Sequence, residues 1–158
     1  MDYRGKKALV VGMAKSGVAS AALLYSLGAD VIIYDAKKRQ DLPPDIIQEL
    51  SKYNYTDMLG QDIMPVIQDI DIMVLSPGVP PGLPFIRAAH ERGKRVIAEI
   101  ELGFSVSKAD FIAITGTNGK TTTTALTGEI FKNAGFNTFV LGNIGVPITQ
   151  EALNTKEG

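Results

Sequence analysis

Ten consecutive residues, Thr115-Gly116-Thr117-Asn118-Gly119-Lys120-Thr121-Thr122-Thr123-Thr124, bring two glycines, one lysine and a run of hydroxyls together. They follow the apolar stretch Phe111-Ile112-Ala113-Ile114 and open a segment with helical spacing. Phosphate binding uses these residue types in this order. Glycines let backbone N–H groups approach phosphate oxygens, a helix start offers unpaired amides and the positive end of its dipole, and a lysine adds charge. Gly116, Thr117, Asn118, Gly119, Lys120, Thr121 and Thr122 are therefore the candidate ATP-binding loop, with Lys120 and Thr121 as its catalytic members and the Thr121 hydroxyl as a candidate Mg²⁺ ligand. The general phosphate-loop pattern has glycine five positions before Gly119, where this chain has Ile114, so Gly116 takes the first turn. The plain alternative is an ordinary helix start capped by Asn118 or Thr117.

A second glycine turn, Gly12-Met13-Ala14-Lys15-Ser16-Gly17, lies between an apolar run and a helical pattern, the place of a dinucleotide-binding turn. Its middle position is Ala14, whose methyl group restricts close approach to a pyrophosphate. A diphosphate held by Ser16 and the helix amides remains compatible with it. Asp35, at the end of the next apolar run, is placed to accept from a ribose hydroxyl or a base N–H, or to serve as a turn former. Ser76-Pro77-Gly78 follows another apolar run, where ligands collect or a turn simply forms. In Gly142-Asn143-Ile144-Gly145, Asn143 is either a ligand amide or a residue tolerant of a turn.

These residues need elements to hold them. Leu27-Gly28-Ala29-Asp30 before Val31–Tyr34, Arg92-Gly93-Lys94-Arg95 before Val96-Ile97, and Ala134-Gly135-Phe136-Asn137 before Thr138–Leu141 share one grammar, a helix closed by glycine and then a short buried strand. With strands at Lys7–Val11, Ile72–Leu75 and Phe111–Thr115, the pattern predicts an α/β fold of parallel strands covered by helices. Helices are expected over 16–27, from Pro44 onward and over 83–92, with a short strand and turn somewhere in 54–69.

Composition narrows the class. The 158 residues are 45% apolar, with mean hydropathy +0.10 and net charge −1 from 16 basic and 17 acidic side chains. No basic stripe points to nucleic acid. The absence of cysteine excludes a disulfide frame, a thiolate nucleophile and a zinc–cysteine site. The single histidine, His90, sits among Arg87, Glu91 and Arg92 and reads as solvent-facing. The apolar run from Ala8 to Ala14 is too short for a signal peptide and contains Gly12, and no segment approaches a membrane span. A cytoplasmic protein without membrane insertion is the expectation.

In order, Gly12–Gly17, Asp35, Ser76-Pro77-Gly78, Val96-Ile97-Ala98-Glu99-Ile100-Glu101-Leu102, Thr115–Thr122 and Leu141–Gly145 resemble the N-terminal part of the Mur ligase family over essentially the whole chain. The Ile100-Glu101-Leu102 element and the first turn favour its D-glutamate-adding branch. The resemblance implies a Rossmann-like domain over 1–97 that binds the UDP part of the substrate, and the start of a P-loop-type α/β ATPase domain over 98–158. It places Ser16 and Gly17 at the diphosphate, Asp35 at uracil or ribose, Ser76, Pro77 and Gly78 at the same nucleotide, and Asn143 at the diphosphate and sugar. The family often has arginine where this chain has Lys37, so a planar stack on uracil gives way to a point charge. The implied reaction is ATP- and Mg²⁺-dependent joining of D-glutamate to UDP-N-acetylmuramoyl-L-alanine. Related ligases that add L-alanine or diaminopimelate, folylpolyglutamate synthase, and a nucleotide-sensing module without chemistry are the other readings. In the family, further metal, adenine and amino-acid sites lie downstream, so the chain is expected to be an N-terminal piece of a longer enzyme.

Overall fold

A computed structural model describes residues 2–142 and 145–156. Its centre is a five-stranded, wholly parallel sheet of β1 (Lys7–Val11), β2 (Asp30–Tyr34), β3 (Thr56–Asp57), β4 (Ile72–Leu75) and β5 (Arg95–Ala98), in the order β3-β2-β1-β4-β5. Four helices connect or flank these strands: α1 (Lys15–Ser26), α2 (Pro44–Leu50), α3 (Pro84–Glu91) and α4 (Glu99–Val106). Two more, α5 (Lys120–Asn133) and α6 (Ile148–Glu151), lie further along the chain.

The near-continuous apolar strands have a physical reason. Successive side chains point to opposite faces of a strand, and here both faces are covered. Ala8, Val10, Val31, Ile33, Ile72 and Val74 share one core with Leu24 of α1, Ile46 and Leu50 of α2 and Leu102 of α4. The alternate residues Leu9, Val11, Ile32 and Met73 share the other with Ile63, Ile67, Ile70 and Phe85, Ile86 and Ala89 of α3. Register makes the cores coincide, for Val10 pairs with Ile33 on one side and Val74 on the other. The chain leaves β1 toward β2 and later returns to its opposite side as β4, so connectivity reverses at the carboxyl ends of β1 and β4. In sheets of this kind ligands bind at that crevice.

The expected helices are found within one or two residues of their predicted ends, and 54–69 supplies β3 and a short 3₁₀ turn at Met64–Val66. Two expected strands are not. Neither Phe111–Thr115 nor Thr138–Leu141 forms one; the second makes only an isolated bridge between Leu141 and Val146. An extended segment needs a neighbour for its N–H and C=O groups, and two short strands beside one helix cannot enclose a core. Phe111 is 41% exposed and Ile112 59%. α5 forms where its sequence predicts, yet Leu126, Ile130 and Phe136 remain exposed. The sheet expected of a second α/β domain is thus absent among the described residues. α4 and α6 pack instead against α1, with Leu102 and Ala152 in the first core and Ile148 buried.

Candidate functional site

The geometry begins at Gly12, directly after β1. Its φ of 89° is open to glycine at little cost. Its N–H donates to the Tyr34 carbonyl at 2.8 Å, and a Cβ there would come within 2.8 Å of Val79 and 3.2 Å of Ser76. The next constraint comes from α1. A Cβ on Gly17 would overlap the carbonyl oxygen of Gly12, so only glycine lets the helix start this close to the strand end. Ser76, 6% exposed, donates its hydroxyl hydrogen to the same carbonyl at 2.7 Å. The Gly12 carbonyl is thereby held under the helix.

The helix N-terminus above it has no side-chain cap. Ala14, extended at φ −90° and ψ −174°, occupies the cap position and has no acceptor to offer. The first turn, including Lys15, Ser16 and Gly17, therefore carries amides that helical geometry leaves unpaired, together with the positive dipole end. Ser16 is half-buried and Lys15 exposed. A diphosphate is the natural complement of that surface.

Asp35 stands one residue past β2 and is partly buried. Its Oδ2 accepts the Met13 N–H at 2.8 Å and its Oδ1 the Lys37 N–H at 2.9 Å. The carboxylate braces the glycine turn from the side while each oxygen keeps a further lone pair for a ligand donor. Lys37, Pro77 and Gly78 are exposed beside it, so its edge of the sheet is open. Gly12–Gly17, Asp35 and Ser76–Gly78 thus converge on the carboxyl ends of β1, β2 and β4.

The second glycine loop opens α5. Gly119 is left-handed at φ 75° and occupies the cap position of α5, with open space where a Cβ would be. Lys120 and Thr121 are the first two helical residues. The Lys120 ammonium donates to the carbonyls of Gly116 and, at 3.3 Å, Thr117. Gly116, Thr117, Asn118, Thr121 and Thr122 are exposed. No group of three or more His, Cys, Asp or Glu side chains suited to a metal occurs among the described residues. Asn143 lies outside them.

Two contacts escaped the residue patterns. The Met13 N–H, which fixes Asp35, is a backbone group with no sequence signal. Glu99 is 4% exposed and bonds Thr149 across 50 residues; a lone acid at a strand end gives no hint of a partner that far away. Elsewhere, Tyr25, Tyr53 and Tyr55 form an aromatic triangle with ring centroids 5.2–5.8 Å apart. Burial, followed by Tyr53, Tyr25 and Glu49, pushes the Tyr55 hydroxyl well above its usual range.

A sequence-family profile described as "Mur ligase MurD-like, N-terminal domain" matches residues 6–98, the whole of the sheet with α1, α2 and α3. The chain belongs to the MurD-like Mur ligases. It is 46% identical over 159 aligned residues to the UDP-N-acetylmuramoylalanine–D-glutamate ligase of Alkaliphilus metalliredigens (strain QYMF), an alignment covering 99% of this chain and 35% of the relative. It is 47% identical over 149 residues to the ligase of that name from Clostridioides difficile (strain 630), covering 94% of this chain and 33% of the relative. The chain therefore spans about a third of the length of the curated relatives it matches. Among solved structures, the pseudomurein peptide ligase type C from Methanothermus fervidus superimposes with TM-score 0.52 and 26% identity, over 83% of this chain and 27% of that one. The murein peptide ligase from Psychrobacter arcticus 273-4 gives TM-score 0.53 at 22% identity, over 83% and 27%, a likeness of fold. The fold of the MurD-like N-terminal domain is thus the α/β arrangement that the glycine-punctuated strands predict. No helix among the described residues is long and apolar enough to cross a membrane.

Proposed function

We propose that this chain carries the UDP-substrate-binding domain and the first ATP-contacting elements of an ATP-dependent ligase that adds D-glutamate to UDP-N-acetylmuramoyl-L-alanine. The observation that carries the reading is the uncapped start of α1 set against Gly12 at the reversal point of the sheet, with Asp35 beside it. Residues 1–97 form the substrate domain, and residues from 98 onward begin the ATP-binding part. The ligase names of the relatives support the reaction, and its ATP and UDP-linked substrates suit the cytoplasm.

In this reading the amides of Ser16 and Gly17 and the Ser16 hydroxyl hold the diphosphate. The free lone pairs of Asp35 accept from uracil or ribose, while Lys37 and the Ser76–Gly78 turn, exposed at Pro77 and Gly78, border the same nucleotide. Ser76 itself acts mainly by holding the Gly12 carbonyl. Asn143 is proposed as a further amide contact to the sugar diphosphate.

The Gly116–Thr122 loop fits a triphosphate by its donors: a left-handed glycine with open space, a helix start, an ammonium and a hydroxyl. Lys120 leaves the Gly116 and Thr117 carbonyls to meet the β- and γ-phosphates, where its charge offsets that of the transferring group. The Thr121 hydroxyl would be this loop's ligand to Mg²⁺, which would supply further charge neutralisation. The phosphoryl group passes to the alanyl carboxylate, and the D-glutamate amine then displaces phosphate to form the amide. These side chains contribute position and electrostatics, and none of them is placed as a base.

Calorimetry tests the reading. The chain should bind UDP-N-acetylmuramoyl-L-alanine and UDP but not NAD, and Asp35→Ala should weaken the uridine ligands by about 1–3 kcal/mol while unfolding midpoints control for loss of the brace on Met13. With ATP, D-glutamate and Mg²⁺ the 158 residues should release no substrate-dependent phosphate, whereas a ligase of the relatives' full length should. Tighter binding of NAD than of UDP, or turnover by the 158 residues at the full-length rate, would sink it.

A further inference from the structure

Glu99 is a buried carboxylate to which the reaction chemistry gives no task. It begins α4 immediately after β5, at the edge of the sheet that carries Gly12–Gly17, Asp35 and Ser76. One of its oxygens accepts both the N–H of Thr149 at 2.9 Å and the Thr149 hydroxyl hydrogen at 2.8 Å. Thr149 is only 3% exposed. Desolvating a carboxylate is costly, and packing α6 onto α4 by apolar contact alone would not require one.

The local chemistry says what the carboxylate does. Thr149 is the second residue of α6, and Pro147, at the cap position, provides no side-chain cap. Glu99 supplies the missing acceptor from another element. The helix is then seated in one register. A Cβ on Gly103 would overlap the Ile148 side chain, which therefore packs directly on the backbone of α4. At the far end the Ser107 hydroxyl donates to Thr155 Oγ1 at 2.9 Å, and the Lys108 N–H donates to the same oxygen at 2.9 Å.

The consequences run back along the chain toward the second glycine loop. Val146, three residues before Thr149, accepts the Gly142 N–H at 3.1 Å and bridges Leu141. Val140, next in line, lies against Gly128 so closely that a Cβ on that glycine would overlap it. Gly128 is the one buried residue of α5, the helix whose first residues are Lys120 and Thr121.

We infer that Glu99 is a positioning residue: by capping α6 it sets where α5 and its phosphate loop stand relative to the nucleotide turn of the first sheet. The catalytic part of this role rests on the proposed reading of Gly116–Thr122, whereas the mechanical part rests on the contacts alone. Both can be measured apart.

The chain has no cysteine, so Gln68→Cys and Ala125→Cys, both at exposed positions, give two unique spin-label sites, one beside the first sheet and one on α5. Dipolar distance measurement should give a single narrow distribution in the labelled chain and in Glu99→Gln, whose amide oxygen keeps both acceptor contacts. Glu99→Ala should broaden or displace it, and Thr149→Val, which retains the backbone donor, should do so less. A Glu99→Ala distribution that superimposes on the parent overturns the inference. If that variant loses its helical circular dichroism, an unchanged distribution in Thr149→Val overturns it instead. In the full-length ligase, Glu99→Ala should lower kcat by up to about 100-fold with KM for the UDP substrate unchanged, and Glu99→Gln should recover it. A displaced distance with normal turnover leaves the clamp standing and refutes the phosphate-loop reading.

Discussion

Gly17 and Gly78 sit in neighbouring turns and answer differently to one added methyl group. A Cβ on Gly17 meets the Gly12 carbonyl oxygen, which Ser76 also holds, so backbone must move. Gly17→Ala is expected to cost about 3 kcal/mol and to weaken uridine binding with it, because α1 can no longer start this close to the end of β1. A Cβ on Gly78 has nothing within 4 Å, and Gly78→Ala should stay within about 0.5 kcal/mol of the parent. Urea unfolding of the pair checks this, and equal losses would mean that close approach is not what Gly17 provides. The spacing of Gly12 and Gly17 was enough to locate the turn and the helix start. It could not show that Asp35 and Ser76 already have backbone partners, because those partners are two main-chain N–H groups and a main-chain carbonyl supplied by folding.

At the level of elements, legibility followed burial. β1, β2, β4 and β5 were readable because a parallel strand covered on both faces is an apolar run between turn residues. The same pattern in Phe111–Thr115 and Thr138–Leu141 produced no strands, since a pattern names a preference for a partner without supplying one. α5 needs no partner for its backbone and forms regardless. Its Leu126 and Ile130 remain 61% and 58% exposed, four positions apart and so on one face. Replacing both with glutamine should change unfolding free energy by less than about 0.5 kcal/mol per site. Self-association, followed by sedimentation, should decrease, as removal of an exposed apolar pair requires. A loss of several kcal/mol would mean that these side chains are buried in solution.

For the molecule as a whole, alkaline pH separates stability from binding. The Tyr55 hydroxyl is buried without a hydrogen-bond partner among the described residues, and its pKa in the fold lies above the ordinary value of 10.0. The folded form therefore holds its proton longer than the unfolded chain, so this contribution is intact below pH 10 and declines as pH rises above it. Tyr55→Phe should flatten that decline and leave stability at neutral pH equal or slightly higher, because it removes an unsatisfied buried hydroxyl. An unchanged alkaline slope in denaturation curves would assign the effect elsewhere. The strand order carries a different consequence, one for synthesis. β1 is central, yet its second neighbour arrives late: Lys7 and Asp71, at the start of that pairing, are 64 positions apart. At about 5–20 residues per second, a ribosome takes roughly 3–13 s to bridge that interval. Throughout it the strand that later holds the Gly12–Gly17 turn has one open edge and an uncovered apolar face, so the nascent chain is most in need of protection before its fourth strand emerges.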